Sequence, residues 1–197
     1  MSADGVDLKK RRMLTIATSV VGAVGAGFVA VPFLKSWNPS EKAKAAGAPV
    51  EADISKLEPG QLMRVKWRGK PVWVVRRTEK NLADLPTIDP ILADPASEQP
   101  QQPTYCTNGT RSIKPEYLVA VGICTHLGCS PTHRPEVGPA DLGADWKGGF
   151  FCPCHGSKFD LAARVFSGVP APTNLVIPPH QYLSKTTLLI GQDGGAS

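Results

Sequence analysis

The sequence predicts a mainly β protein, an antiparallel sandwich or barrel, that follows one N-terminal transmembrane helix. Residues 13–34 carry no charge and are mostly apolar, and a helix needs about 20 such residues to cross a bilayer. Residues 51–197 instead contain short runs of strand-forming residues between Gly- and Pro-containing turns, a pattern typical of antiparallel sheets. We therefore divide the chain into a basic N-terminus (1–12), the helix (13–34), a flexible linker (35–50) and a head domain (51–197).

The basic residues at 9–12 (KKRR) come directly before the apolar run. Because positive charge stays on the cytoplasmic side of a membrane, we expect a single-pass protein of the bacterial inner membrane with its head in the periplasm. Residues 11–14 (RRML) also look like a twin-arginine export signal. That route carries folded proteins, so a cofactor could be loaded before export. The alternative is a signal peptide that is cleaved near residues 46–48.

The linker is rich in small and polar residues and contains prolines and a glycine. Such a composition would let the head swing relative to its anchor, although a passive tether would have the same composition. Residues 41–46 are all good helix formers, so a short helix could form there.

The net charge of +5 arises from 22 basic and 17 acidic residues. The N-terminal run supplies part of this excess, and elsewhere basic and acidic residues alternate without a basic stripe. We expect no nucleic-acid partner.

Several segments of the head have the composition of strands. They are residues 61–67, 71–78, 116–122, 149–151, 175–178, 180–184 and 186–190. Residues 68–70 predict a hairpin turn between the first two. Residues 81–115 hold many prolines and predict a long loop with at most a short helix, and residues 131–147 form an insertion without evident chemistry.

Two short loops carry the chemistry of the chain. One contains Cys124-x-His126 and the other contains Cys152-x-x-His155. Two thiolates on one iron and two imidazoles on the other can hold a [2Fe–2S] cluster, and this mixed ligation raises the reduction potential because neutral imidazole donates less charge than thiolate. The alternative is a structural zinc site built from the same donors.

Two further cysteines, Cys129 and Cys154, lie within three residues of the loop histidines. A disulfide between them would hold the two loops together, and a periplasmic location would preserve it. The alternative is a pair of buried free thiols. Cys106 lies outside both loops, so we expect a free thiol there, and we expect His133 and His180 to be surface or packing residues.

The phrases CTHLGC (124–129) and CPCHGS (152–157) resemble the Rieske iron–sulfur subunit of ubiquinol–cytochrome c reductase, the cytochrome bc complex, of the proteobacterial type. The resemblance extends over most of the chain, since the hairpin at 63–78 and the phrase GVPAPTNL at 168–175 fall in the expected order. It implies a Rieske-type β head and a Rieske [2Fe–2S] cluster.

The resemblance implies a ligand role for each loop donor. Cys124 and Cys152 would bind the inner iron, and His126 and His155 would bind the outer iron near solvent. The two histidines would also be the catalytic residues, because a deprotonated His155 would accept a hydrogen bond from ubiquinol.

The resemblance also assigns the surroundings of the cluster. Cys129 and Cys154 would form the disulfide. Leu127 would cover the cluster and touch the quinone pocket, and Ser157 would donate its hydroxyl to a cluster sulfide. Residues 168–172 would form a proline loop that shields a third side.

The implied function is electron transfer in quinol oxidation, with cytochrome b and a c-type cytochrome as partner subunits in a dimeric, membrane-anchored complex. An alternative is the small Rieske subunit of another membrane or periplasmic oxidase, such as arsenite oxidase. A less favoured alternative from another class is a zinc-stapled interaction domain.

Two positions depart from the family pattern. Relatives often carry Tyr where this chain has Phe159, and its hydroxyl bonds a ligand sulfur, so we expect a lower potential here. Relatives often carry Gly where this chain has Ala163, which would cost energy if that turn requires a positive φ.

Overall fold

The computed structural model describes residues 5–194, which belong to two units that divide between Ala45 and Ala46. The first unit is dominated by helix α1, Leu8–Ser36. Its 29 residues span about 43 Å, and its apolar part is long enough to cross a membrane. The helix begins five residues before the predicted start at residue 13. The reason is that the side chain of Asp7 caps it by accepting hydrogen bonds from the backbone N–H groups of Lys9 and Lys10.

Helix α2, Glu41–Ala46, lies within the linker. The side chain of Ser40 accepts a hydrogen bond from the backbone N–H of Ala43 at 3.2 Å, and Lys44 pairs with Glu41 at 2.7 Å. The short helix predicted from composition is therefore confirmed.

Across the described residues, the head contains nine strands. They are β1 Val50–Asp53, β2 Leu62–Trp67, β3 Lys70–Arg76, β4 Tyr117–Val121, β5 Thr132–Arg134, β6 Gly149–Phe151, β7 Lys158–Asp160, β8 His180–Tyr182 and β9 Thr187–Ile190. They form three antiparallel sheets in the orders β1-β9-β8, β2-β3-β4 and β5-β6-β7. The predicted mainly β architecture is confirmed.

Sheet β2-β3-β4 lies between two apolar cores because β3 is buried on both faces. Val72 and Val74 belong to a core shared with β1 and β9, whereas Trp73 and Val75 belong to a core shared with β6 and β7. Trp73 stacks on Phe150 of β6 with ring centroids 4.7 Å apart. The second core lies directly beneath the Cys/His loops, and it includes both free loop cysteines.

The hairpin between β2 and β3 turns through Arg68 and Gly69, whose φ angles are +49° and +73°. Two consecutive positive φ values identify a type I′ turn, the turn that matches the twist of paired strands. The prediction of a hairpin at residues 68–70 is confirmed.

The segment 175–178 is not a strand, so that prediction was wrong. It is extended, but it makes isolated backbone bonds to three different segments. Leu175 N–H donates to the Ala163 carbonyl at 2.9 Å, Ile177 N–H donates to the Gln101 carbonyl at 2.8 Å, and Val121 N–H donates to the Val176 carbonyl at 2.8 Å. An apolar composition cannot distinguish such a segment from a strand that pairs along its length.

The long predicted loop at 81–115 overlaps helix α3, Glu79–Asp84, and contains two short 3₁₀ helices, Leu85–Ile91 and Thr104–Cys106. The insertion at 131–147 contributes β5 and Trp146, which packs in a third apolar cluster that includes Phe166. These segments therefore belong to the folded head.

A buried ion pair supports the turn that follows β7. Asp160 and Arg164 are 0% and 1% exposed, and their charged groups lie 2.8 Å apart. Asp160 Oδ1 also accepts the backbone N–H groups of Ala162 and Arg164 at 2.9 and 2.7 Å. The second Cys/His loop precedes β7, so this pair fixes the strand that leaves the loop.

Two further buried arginines donate to carbonyls of the same turn. Arg111 bonds the Ala163 carbonyl at 3.0 Å, and Arg77 bonds the Leu161 carbonyl at 3.1 Å. Neither has an acidic partner among its hydrogen bonds in the described residues, and burial lowers the pKa of each to about 10. The turn is thus held from several segments, and this explains how Ala163 is kept at a φ of +61°.

Candidate metal centre

The two Cys/His loops share one backbone design. In loop 1 (124–129) the N–H of the first residue, Cys124, donates to the carbonyl of the sixth, Cys129, at 2.7 Å. The N–H of the fifth residue, Gly128, donates to the carbonyl of the first at 3.1 Å. In loop 2 (152–157) the same bonds measure 2.8 and 2.9 Å. The fifth residue of each, Gly128 and Gly156, has a φ of +84° or +77° with open space around it. Glycine is required there by the backbone angle and not by crowding.

Both loops are placed by strands of the head. Loop 1 follows β4 after residues 122–123, and loop 2 joins β6 to β7. Because β6 and β7 are paired through three residues each, the two ends of loop 2 are held together.

A disulfide joins the two loops. Cys129 and Cys154 are bonded, with their Cα atoms 6.7 Å apart. The predicted disulfide is confirmed, and the alternative of two buried free thiols was wrong. Cys106 is free, as predicted, and it is buried.

The four remaining donors of the loops lie in two pairs. Cys124 and Cys152 are 3% and 1% exposed, and the Cys124 thiol lies close enough to help raise the pKa of the Cys152 thiol, mainly raised by burial. The rings of His126 and His155 lie at right angles with centroids 4.8 Å apart. The structure therefore brings thiol beside thiol and imidazole beside imidazole, with the thiols deeper in the head.

The nitrogen Nδ1 of His126 is buried and has no hydrogen-bond partner. A buried polar atom without a partner is costly, and a metal ion bound at this lone pair would remove the cost. Burial also raises the pKa of the Cys152 thiol, while the backbone N–H groups of Cys154 and His155 act in the opposite direction. A bound cation would favour the thiolate outright. The site fits a metal that takes both sulfur and nitrogen ligands.

A third segment closes the site through two hydrogen bonds. Ser157 is fully buried, and its Oγ accepts the backbone N–H of Ala171 at 3.0 Å. Thr125 donates its hydroxyl to the Thr173 carbonyl at 2.7 Å. The predicted proline loop, 168–172, is thus attached to the second Cys/His loop, and the residue directly after it is attached to the first. Sequence reasoning missed Thr125, although a hydroxyl between two ligand residues was a usable signal.

The tip of the site is open to solvent. Leu127 is 71% exposed, and His155 and Cys154 are exposed. An apolar side chain and an imidazole, one from each loop, are therefore both accessible to a partner molecule.

The histidines outside the loops have packing roles, as predicted. His133 lies 5.6 Å from the ring of Phe150. His180 is buried, with Nδ1 2.9 Å from the Pro178 carbonyl oxygen.

Comparison with known proteins identifies the site. A family model described as "Rieske [2Fe-2S] domain" matches residues 48–179, and one described as "Ubiquitinol-cytochrome C reductase Fe-S subunit TAT signal" matches residues 1–40. The ubiquinol-cytochrome c reductase iron-sulfur subunit of Allochromatium vinosum is 73% identical over 197 residues, which cover all of this chain and 95% of that protein. The chain belongs to the Rieske iron–sulfur subunits of ubiquinol–cytochrome c reductase.

More distant relatives carry related names. The ubiquinol-cytochrome c reductase iron-sulfur subunit of Blastochloris viridis is 40% identical over an alignment that covers 96% of this chain and 97% of that protein. The mitochondrial "Cytochrome b-c1 complex subunit Rieske-1" of Nicotiana tabacum is 42% identical over 73% of this chain and 48% of its own. A chain of a solved structure titled "Hyperthermophilic respiratory Complex III" has a TM-score of 0.47 and 28% identity, covering 88% of this chain and 98% of that one.

Membership in the Rieske subunits settles the main alternatives. The chain is a component of an oxidoreductase complex, and its cofactor is a Rieske [2Fe–2S] cluster, not structural zinc. The predicted twin-arginine signal is confirmed. These relatives give no support to a small subunit of another oxidase.

The two positions at which we expect this chain to differ from its relatives lie in the core beneath the Rieske site. Phe159 and Ala163 are each 0% exposed. The turn at Ala163 does require a positive φ, as the +61° angle shows, and Phe159 offers no hydroxyl to the site.

Proposed function

We propose that this subunit takes an electron and a proton from ubiquinol at its exposed tip and passes the electron to a c-type cytochrome. The observation that supports this most is the arrangement of two buried thiols and two paired imidazoles, one of which has a buried nitrogen without a partner.

Four residues would hold the cluster. Cys124 and Cys152, which are almost fully buried, would bind the inner iron, and His126 and His155 would bind the outer iron. Once bound there, the cluster supplies a one-electron acceptor whose potential is raised by the imidazole ligands.

Ser157 would raise the reduction potential of the cluster through a hydrogen bond. Its oxygen already accepts the Ala171 N–H, so its hydroxyl hydrogen is left to donate to a cluster sulfide. Such a bond favours the more negative, reduced state and raises the potential. The Cys129–Cys154 disulfide would hold the two loops together at the exposed edge of the site.

His155 would receive the proton of quinol. It is exposed, as is Leu127 of the other loop, so a quinol head group that packs on the leucine can donate a hydrogen bond from its hydroxyl to the imidazole. His126, which is half-buried next to it, would be the second catalytic residue.

Residues 1–12 would remain in the cytoplasm and residues 13–34 would span the inner membrane, as the basic run and the apolar helix favour. Residues 51–197 would then face the periplasm, where disulfides persist. The partners would be cytochrome b and a c-type cytochrome within a dimeric complex.

Residues 35–50 would act as a hinge between anchor and head. Helix α2 has only six residues, so it is marginal by itself and can melt at low cost. Inserting two prolines in it should slow cytochrome c reduction while leaving the cluster spectrum unchanged. Unaltered turnover would show that the linker is passive.

The central test is spectroscopic. The purified chain should contain iron, show a Rieske electron paramagnetic resonance signal when reduced, and co-purify with haem proteins. His155→Cys should abolish the high potential and quinol oxidation, whereas the matched variant His133→Cys, outside both loops, should keep both. Retained turnover in His155→Cys would remove His155 from its role.

A further inference from the structure

Four of the five cysteine sulfurs gather at the Rieske site, although only two of them are bonded. The Sγ atoms of Cys129, Cys152 and Cys154 all lie within 4.8 Å of one another, and Cys124 and Cys152 are buried in the same apolar core. Cys129 and Cys154 form the disulfide, and Cys152 is free. A free thiol therefore lies directly beside a disulfide.

We propose that Cys152 attacks this disulfide whenever iron does not bind it, so that the Cys129–Cys154 pairing persists only in a chain that carries its cluster. In the exchange, Cys152 Sγ bonds to Cys129 Sγ, and the bond between Cys129 and Cys154 breaks. Its electron pair leaves on Cys154 Sγ, which takes up the proton that Cys152 gives up. One disulfide and two free loop thiols exist before and after, so no oxidant is needed.

The surroundings favour Cys154 as the leaving thiol. Cys154 is exposed, so water can solvate the departing thiolate, whereas Cys129 is half-buried on the same side as the core that holds Cys152. Loop length does not oppose the exchange, because the new bond would join residues 23 apart in sequence (152 minus 129) and the present one joins residues 25 apart. The closure entropy of these two loops is almost equal.

The exchange would destroy the cofactor site. Cys152 is one of the two thiolate ligands under the proposed function, on which this step rests, and a disulfide-bonded sulfur cannot bind iron as a thiolate. Cluster insertion must then come before disulfide formation. A twin-arginine signal is consistent with that order, since the chain would be loaded in the reducing cytoplasm and oxidised only after export.

The test maps sulfur pairing in the full chain in detergent. Iron is withdrawn by a chelator under anaerobic conditions at pH 8, and free thiols are then blocked with N-ethylmaleimide and located by mass spectrometry. Only Pro153 separates Cys152 from Cys154, so fragment ions of one peptide show which cysteine carries the label. We expect the label to move from Cys152 to Cys154 as iron is lost, while the iron-loaded chain keeps Cys154 unlabelled.

Two matched variants separate the nucleophile from loss of the cluster. Cys124→Ser and Cys152→Ser should both lack a cluster, but only Cys124→Ser should show exchange, and Cys106→Ser should behave as the wild type. Circular dichroism checks that each variant is folded. An unlabelled Cys154 in both the cluster-free wild type and Cys124→Ser would overturn the proposal, as would exchange in Cys152→Ser. A wild-type chain purified without iron would instead contradict the proposed function, while exchange would still be expected in it.

Discussion

Replacing Asp160 with Asn would remove the buried negative charge beneath the second cluster loop while preserving the shape of the side chain. The amide oxygen can still accept the two backbone N–H groups that Asp160 Oδ1 now accepts. What is lost is the charge that faces the Arg164 guanidinium at 2.8 Å, where both side chains are almost fully buried. The variant therefore isolates the ion pair from the turn that surrounds it.

The size of the effect follows from burial. Breaking a buried ion pair from one side costs about 3–5 kcal/mol, because the remaining charge is left uncompensated. Arg164 retains a second partner, Asp89 at 2.7 Å, but that carboxylate is 45% exposed. We therefore expect about 3 kcal/mol for Asp160→Asn, the lower end of the range. One kcal/mol lowers the melting temperature of a domain of this size by about 2–4 °C, so the fall should be about 6–12 °C.

The chain offers a matched control in a second Arg–Asp pair. Arg134 and Asp141 lie 2.9 Å apart with side chains 25% and 59% exposed, and solvent screens such an exposed pair so that it contributes little to stability. Asp141→Asn should therefore lower the melting temperature far less than Asp160→Asn does. The assay is thermal unfolding of the full chain followed by circular dichroism, with cluster content checked by visible absorbance. If Asp160→Asn melts within the control's range, the buried pair does not support the loop.

Three further predictions concern the core of the head. Phe159→Tyr should raise the midpoint potential by about 40 mV in a redox titration. The reason is that a hydrogen bond from the new hydroxyl to a sulfur would be stronger by about 1 kcal/mol after reduction, and for one electron this energy corresponds to that shift. No rise, or a fall, would refute this. Burial lowers the pKa of His180 below 6.5, so the unfolded chain binds more protons between the folded pKa and that value, and stability should fall as the pH drops below about 6.5. His180→Asn should flatten this slope in denaturant titrations at several pH values, and an unchanged slope would count against it. Ala163→Gly should change the unfolding free energy by less than about 1 kcal/mol, because relief of a positive φ worth about 1–2 kcal/mol is offset by unfolded-state entropy and a lost buried methyl group. Ala163→Val should cost more than about 2 kcal/mol, since a β-branched residue is poorly tolerated at that angle, and a stable valine variant would show that the turn relaxes.

Local features of the chain could be predicted because their cause lies within a few residues. The turn at Arg68-Gly69, the short helix 41–46 and the long apolar helix each depend on neighbouring residues only. The same holds for the cluster loops, whose glycines and ligand spacing set the loop shape. The segment 175–178 was predicted wrongly because strand pairing depends on which distant segment lies beside it.

The candidate donors of the metal centre could be predicted from the sequence alone, because thiol and imidazole chemistry belongs to the residue types and their spacing. Folding determines which sulfurs are bonded, which nitrogen of His126 is buried and which face of the site is open. It also brings Thr125 to the Thr173 carbonyl, 48 positions away, and Arg111 to the turn at Ala163, 52 positions away. These contacts join segments that are distant along the chain, so their partners depend on how the sheets pack and no local pattern specifies them.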